Sequence, residues 1–249
     1  MDPASRLEPP ASRRDEPTIL PRLVALLEVL ICSDVPTQIA LATTFGAFGI
    51  GPSAPHGHLS VGYVVALSLL DTAVLLALVL MFVLAHGESP REIFFGRRPL
   101  APELVAGLPL VPVALGIAMG VLLAVQIFAP RLHTVEHNPL QELLRSPRDA
   151  WLFAIVVIVA GGVREEIQRA FLLRRFEVWL GGGVTGVIVT SVAFGAGHLL
   201  QGADAAIATG LLGAFWGSIY LRRRSCAAPM VSHAGFDLLQ IVQFLIVGR

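Results

Sequence analysis

The chain has 249 residues, a formal net charge of zero and only 14% charged residues. Soluble domains carry about 25% charged residues, and the mean hydropathy of this chain is +0.73. These values exclude a soluble enzyme held by a single anchor, and the balanced charge gives no indication of a nucleic-acid partner. Cys32 and Cys226 stand alone, without the spacing of a disulfide framework or a thiolate metal site.

The first segment, residues 1–21, is polar and contains five prolines. A segment of this composition cannot bury enough apolar surface to fold, so it is predicted to be a disordered leader. It lacks the short apolar run followed by a small-residue cleavage site that is typical of a signal peptide.

Seven apolar stretches follow, and about 20 apolar residues are enough to cross a bilayer. They lie near residues 22–50, 60–85, 103–128, 150–174, 184–200, 204–221 and 227–247. The first is overlong and is interrupted around Asp34 and Pro36, which predicts a kinked helix or a helix followed by a re-entrant piece. The fold class is therefore predicted to be all-α, a polytopic membrane helix bundle of about seven transmembrane helices.

The arginines between these stretches are distributed unevenly. Twelve fall on one side of the predicted membrane and four on the other. By the positive-inside rule, this distribution predicts a cytoplasmic N-terminus and an external C-terminus.

Two adjacent glutamates, Glu165 and Glu166, lie inside the fourth stretch, directly after the apolar residues 151–163. A charged side chain at membrane depth costs roughly 2.5 to 3.5 kcal/mol in insertion assays. A chain keeps such residues where they pair, face a wet cavity or do chemistry. Arg169 lies three and four positions further along the helix, so it can reach either carboxylate.

Two later stretches carry further polar residues at helical spacing. Phe194 and His198 share one face of the fifth stretch, and the small residues between them allow close helix approach. His233 and Asp237 share one face of the seventh. At a rise of about 1.5 Å per residue, Glu165, His233 and Asp237 lie about 9 to 15 Å deep, and His198 about 20 Å deep.

These residues admit a structural and a functional interpretation. In the first, they are interhelical hydrogen bonds that hold the bundle together. In the second, they hydrolyse peptide bonds: a carboxylate acts as general base toward a trapped water, and a His–Asp pair one turn apart stabilises the oxyanion. The same groups could instead hold a metal ion through Glu165, His198 and His233.

The ordered motifs Glu-Glu-x-x-Arg, Phe-x-x-x-His and His-x-x-x-Asp resemble those of the CPBP family, the CAAX prenyl-protein endopeptidases and bacteriocin-processing or Abi proteins. The resemblance covers about residues 150–247. It implies that residues 150–249 form a catalytic helix core and that residues 22–149 are additional N-terminal transmembrane helices. It also implies an intramembrane protease of the bacterial inner membrane.

The resemblance implies a role for each matching residue. Glu165 would be the base that activates water, with His198 as its partner, and His233 and Asp237 would form the oxyanion hole. The remaining members of the predicted site are the catalytic Glu166 and the supporting Arg169 and Phe194. Glu166 and Arg169 would position the site.

The resemblance also implies partners and cofactors. Substrates would be membrane-anchored or lipid-modified proteins or peptides within the lipid bilayer. The family carries a metalloprotease label, but its mechanism is expected to be of the glutamate type, without a cofactor. Zinc at Glu165, His198 and His233 is the alternative.

This chain departs from the family pattern at two positions. The first motif is usually Glu-Glu-x-x-x-Arg, whereas Arg169 comes one residue earlier, a rotation of about 100° on a helix. The last motif often ends in Asn, and Asp237 can donate a hydrogen bond only when it is protonated.

Two rival functions belong to other classes. One is a non-catalytic self-immunity protein that binds a bacteriocin-like peptide in the membrane. The other is a proton-coupled transporter that uses Glu165 or Asp71 as a relay, although the sequence shows no internal repeat of the kind common in transporters. Asp34 and Asp71 have no partner that the sequence identifies, so both are predicted to be structural.

One further motif is interpreted as coincidental. His133, Glu136 and His137 match the inverted zinc-protease pattern, which needs a helix to place both histidines on one face. Prolines 130 and 139 bracket this segment, so a solvated loop is predicted. His56 and His58, in another loop, are interpreted in the same way.

Overall fold

The computed structural model describes residues 19–53, 59–135 and 143–247. Within these ranges the secondary structure is helical, apart from one isolated antiparallel bridge between Ser53 and Leu59. The predicted all-α fold is therefore confirmed. Most of the predicted leader (residues 1–18) and His56, His58, Glu136 and His137 lie outside the described residues.

Eleven α-helices are labelled here in chain order, and a π-helical segment separates the seventh from the eighth. They are α1 (Ile19–Ile31), α2 (Val35–Ala47), α3 (Val61–Ala85), α4 (Pro90–Phe94), α5 (Leu100–Gly107), α6 (Leu110–Phe128), α7 (Pro147–Val156), the π segment (Val157–Glu165), α8 (Glu166–Trp179), α9 (Gly183–Gly197), α10 (Ala203–Arg223) and α11 (Ala227–Val247).

Four stretches of helix in the described ranges are long and apolar enough to cross a membrane. They are Val61–Ala85, Leu100–Phe128, Ala203–Arg223 and Ala227–Ile246. α9 is a shorter apolar helix. Large apolar side chains on these helices point outward, as Leu84 and Val192 do, and such surfaces suit lipid rather than water. The protein is thus an integral membrane protein.

The predicted interruption of the first apolar stretch is confirmed. α1 ends at Ile31 and α2 begins at Val35, with Pro36 in its first turn, where the missing N–H costs no helix bond. Asp34 forms the break with φ at +79°, a backbone conformation that few residues with a side chain adopt. Its carbonyl accepts hydrogen bonds from the Thr37 hydroxyl and from the backbone N–H of Gln38.

The fourth predicted span is a continuous helical stretch in which α7, the π segment and α8 follow one another. Ser146 begins it by accepting a hydrogen bond from the backbone N–H of Asp149. π-helical turns are rare and occur frequently at functional sites. This one ends at Glu165, so it sets the direction in which the two glutamates point.

α8 lies at the centre of the bundle, where Ala170, Phe171 and Leu173 are completely buried. At its far end the Arg175 guanidinium is buried between two carboxylates. Nε lies 2.7 Å from Glu28 Oε2, and Nη1 lies 2.6 Å from Glu88 Oε2. The sequence placed Arg175 among the loop arginines that set orientation, whereas the structure makes it part of an ion network between α1 and α8.

Glu88, a member of this network, lies in the connection between α3 and α4. Burial acts to raise the pKa of its carboxyl, but hydrogen bonds from Arg174 and Arg175 outweigh that effect and hold the pKa below its ordinary value. The carboxylate is therefore ionised at neutral pH, and the ion pairs that join α3 to α8 are formed.

Candidate active site

A cavity of about 470 Å³ lies within the bundle, and α6, the π segment, α9, α10 and α11 contribute to its walls. Four of the predicted catalytic side chains line it: Glu165, His198, His233 and Asp237. The supporting residue Phe194 also lines it. The cavity therefore brings together residues from three separate motifs that the sequence placed on three helices.

Glu165 faces this cavity with 19% of its side chain exposed. Its Oε1 lies 3.7 Å from Arg164 Nη2 and its Oε2 lies 3.9 Å from His233 Nε2, distances too long for hydrogen bonds. Oε2 has no hydrogen-bond partner among the described residues. This oxygen is thus a buried hydrogen-bond acceptor that no described group uses.

Glu166 points elsewhere, because consecutive residues on a helix are rotated by about 100°. It is 1% exposed and does not line the cavity. Its Oε1 accepts hydrogen bonds from Arg169 and from His233 Nδ1, the latter at 2.9 Å. The predicted positioning role fits this placement better than direct contact with a substrate.

Arg169 reaches Glu166 despite its shift from the family pattern, because the two residues are three apart on α8. Its guanidinium carbon also lies 4.7 Å from the centroid of the Phe194 ring, in a cation–π contact. Phe194 thereby joins α9 to the buried ion pair on α8.

His233 is held from two directions. Trp216 of α10 stacks against its ring, with the centroids 3.9 Å apart and the planes 17° from parallel. Trp216 in turn donates from Nε1 to Ser232 Oγ at 3.1 Å. With Nδ1 occupied by Glu166, His233 Nε2 faces the cavity, 3.6 Å from Asp237 Oδ2.

Trp216 is a site residue that sequence reasoning missed. It is 1% exposed and lines the same cavity. Its only sequence signal was a tryptophan inside an apolar stretch, which is usual for a packing residue.

His198 caps the end of α9, and its Nδ1 lies 2.8 Å from the carbonyl oxygen of Phe194. An Nδ1–H that donates to this carbonyl leaves Nε2 as an acceptor in the neutral ring. The Phe194 and His198 rings lie 4.8 Å apart, which confirms the predicted shared face.

The depth estimated from the helical rise per residue placed His198 deeper in the membrane than the other site residues. The structure nevertheless brings it to the same cavity. α9 packs tightly against α10 at Gly195. A Cβ atom at this position would come within 2.6 Å of the Ala206 carbonyl oxygen, so only glycine fits there. The predicted close approach of helices around His198 is confirmed.

Two glycines in the π segment let α11 reach Glu165. A Cβ atom at position 161 would lie 2.8 Å from Asp237 Oδ2, and one at position 162 would lie 2.7 Å from Ala234 Cβ. Helices approach this closely where one of them carries glycine or another small residue at the contact. Gly161 and Gly162 thus bring the His233–Asp237 face against the Glu165 turn.

Replacing Gly162 with alanine is expected to destabilise the protein by about 1 to 3 kcal/mol, because the added methyl overpacks the contact with Ala234. The midpoint of thermal unfolding in detergent measures this. Gly116→Ala in α6 is the matched control, since a Cβ there meets nothing within 4 Å. This control replaces a glycine within a helix by alanine, so the unfolding midpoint should stay the same or rise. Equal midpoints for both variants would contradict the close contact.

The inverted zinc-protease motif, interpreted above as coincidental, contributes one residue to the cavity. His133 follows a short 3-10 turn, so the prediction that it is not helical is confirmed. Its Nδ1 lies 2.7 Å from Asp204 Oδ2, and both residues line the cavity. Sequence reasoning missed Asp204, which is 71 residues away along the chain.

The side chains of the alternative zinc site are not gathered as metal ligands in the described residues. In the described ranges, no group of three or more His, Cys, Asp or Glu side chains is placed to hold a metal. The alternative ligand set of Glu165, His198 and His233 therefore gains no support, and a reaction without a cofactor stays a prediction.

Comparison with protein families matches residues 147–239 to the Rce1-like family, type II CAAX prenyl endopeptidases. This range contains all the predicted site residues, so the resemblance inferred from the motifs is confirmed. The match supports a role as a membrane protease. No curated protein and no solved structure matches the chain.

Proposed function

We propose that this protein, whose residues 147–239 match the Rce1-like family of type II CAAX prenyl endopeptidases, hydrolyses peptide bonds inside the membrane with a water activated by Glu165. The observation that carries this proposal is the unpartnered Oε2 of Glu165 at a cavity shared with His198, His233 and Asp237. An ionisable group in an apolar bundle is costly. A carboxylate oxygen left there without a hydrogen bond, at a cavity shared with two histidines, is better explained by chemistry than by packing.

In the first step, the oxygen of a water bonds to the carbonyl carbon of the substrate while Glu165 takes the water proton. The electron pair of the carbonyl double bond moves to its oxygen. His198 supports this transfer, because its Nε2 is an acceptor when Nδ1–H donates to Phe194.

The resulting oxyanion needs hydrogen-bond donors that are already in position. A doubly protonated His233 donates to Glu166 from Nδ1 and to the oxyanion from Nε2, with its ring fixed by Trp216. Asp237, beside Nε2, is a second donor in its protonated form.

In the second step the oxyanion re-forms the carbonyl and the carbon–nitrogen bond breaks. The leaving nitrogen takes the proton held by Glu165, which regenerates the carboxylate. The products are a new carboxyl terminus and a new amino terminus, so each turnover consumes one water.

The substrate class follows from the surroundings of the site. Apolar side chains from several helices line the cavity beside the polar residues: Leu122, Phe153, Val157, Leu212, Phe236 and Phe244. We assign membrane-anchored or lipid-modified proteins or peptides as substrates. The reaction is assigned to the helical core of residues 150–249, with α6 of the N-terminal helices forming one wall. The bacterial inner membrane and a cytoplasmic N-terminus remain part of the proposal.

The test compares the termini of membrane proteins, by mass spectrometry, in cells that carry the wild-type chain or Glu165→Ala at matched expression. New termini are expected with the wild type and not with the variant. Glu92→Ala is the control, because Glu92 is exposed and its carboxylate pairs with the exposed Arg97. Identical termini in all three strains would overturn the proposal and favour a binding protein.

A further inference from the structure

The break between α1 and α2 lies against the turn that carries Glu165. Arg164 Nη1 is 2.9 Å from Asp34 Oδ1 and donates to Gln168 Oε1 at 3.2 Å. Gln168 Nε2 donates to the backbone carbonyl of Cys32 at 2.7 Å. Two polar links therefore join this break to the helical stretch of the site, although the break lies outside residues 147–239.

Arg164 connects these links to the cavity. It is 5% exposed, and its other terminal nitrogen, Nη2, lies 3.7 Å from Glu165 Oε1. A buried guanidinium needs compensating negative charge. Asp34 supplies part of it at hydrogen-bond distance, and Asp71 adds a further nearby charge. Glu165 lies at the longer distance of 3.7 Å, without a hydrogen bond to the guanidinium.

The conformation of Asp34 is consistent with this role. Its positive φ is costly for a residue with a side chain. Contacts on several sides hold it there: Gln38 Nε2 donates to Oδ2 at 2.7 Å, and Arg164 lies against Oδ1. Each oxygen of the Asp34 carboxylate thus has a fixed partner: Gln38 contacts Oδ2, and Arg164 contacts Oδ1.

We propose that Asp34 is a positioning residue for Glu165 that acts through Arg164. By holding the guanidinium on the Asp34 side, it keeps Arg164 from closing onto Glu165 and leaves the Glu165 carboxylate open to water. The inference rests on the proposed protease function. It also makes the N-terminal helix pair a part of the active machinery, where the sequence indicated only a structural break.

The test uses the full-length protein in proteoliposomes and a peptide spanning a cleavage site identified by the comparison of termini. Asp34→Asn is expected to lower kcat by roughly tenfold to 100-fold, the range for a displaced reacting group. KM should stay within about twofold, because Asp34 does not line the cavity. Asp34→Glu, which retains the charge, should recover most of the lost kcat.

Two further variants separate positioning from folding. Arg164→Gln removes the guanidinium that would close onto Glu165. Adding Asp34→Asn to it should therefore lower kcat no further, because Asp34 acts through Arg164. Thr37→Val is the structural control: it removes a hydrogen bond at the same break without touching Arg164. It should lower the unfolding midpoint while kcat stays at the wild-type value.

A wild-type kcat in Asp34→Asn, or losses that multiply in the double variant, would overturn this inference. If Asp34→Asn does not fold alone, Asp34→Ala is measured in the Arg164→Gln background, and a further fall in kcat there overturns it equally. Glu165→Gln in the same assay separates the two proposals. Cleavage that survives Glu165→Gln defeats the proposed function and this inference together, whereas Glu165-dependent cleavage that ignores Asp34 defeats this inference alone.

Discussion

Glu165→Gln should abolish hydrolysis while leaving the fold and substrate binding close to those of the wild type. Glutamine has nearly the same shape as glutamate but cannot accept the proton of the attacking water. General-base catalysis contributes about 10² to 10⁴ in rate, so turnover should fall by at least that factor. Stability should change little, because Oε2 of Glu165 has no hydrogen-bond partner among the described residues that the amide could disrupt.

Single-turnover cleavage of a peptide identified by the comparison of termini measures the rate, and the unfolding midpoint in detergent measures stability. Binding of the same peptide to the variant can be followed directly, since it should remain uncleaved. A variant that binds the peptide and cleaves it at the wild-type rate would remove Glu165 from the mechanism. His198→Ala should also lose turnover, because the imidazole Nε2 then no longer shares the proton.

Glu166→Gln should have a different outcome from the substitution at its neighbour, with a large loss of stability. The Glu166 carboxylate is buried between Arg169 and His233, and both partners are themselves buried. Breaking a buried ion pair by removing one partner costs about 3 to 5 kcal/mol, because the other charge is left uncompensated. Activity should fall as well, since the neutral amide oxygen of glutamine is a weaker acceptor for His233 than the carboxylate that orients its ring.

The unfolding midpoint of Glu166→Gln is compared with that of Glu177→Gln. Glu177 pairs with Arg224, which is 56% exposed, and partly exposed pairs contribute about 1 kcal/mol or less. Equal midpoints for the two variants would show that Glu166 is not an essential partner of Arg169 and His233. Adding Arg169→Met to Glu166→Gln should recover part of the lost stability, because it removes the unpaired buried charge.

The organisation of the chain could be predicted from its sequence because the relevant information is local. Runs of apolar residues predict membrane helices by length alone, and spacings of three and four residues place Glu166 with Arg169 and His233 with Asp237. The ordered motifs identified Glu165 and His198 as site residues through the family resemblance. Each of these inferences depends on residues within a few turns of one another, or on motif order along the chain.

The tertiary structure decided which of two adjacent glutamates faces the cavity, and that depended on the π segment before them. Periodicity assumes a regular helix, so it could not reveal this segment. The structure also added Trp216 beside His233, Asp204 beside His133, and Asp34 beside Arg164. These partners lie on different elements of the chain and meet only because those elements pack against one another. A sequence determines which residues are costly to leave unpaired in a membrane, but which partners they find depends on how the helices pack.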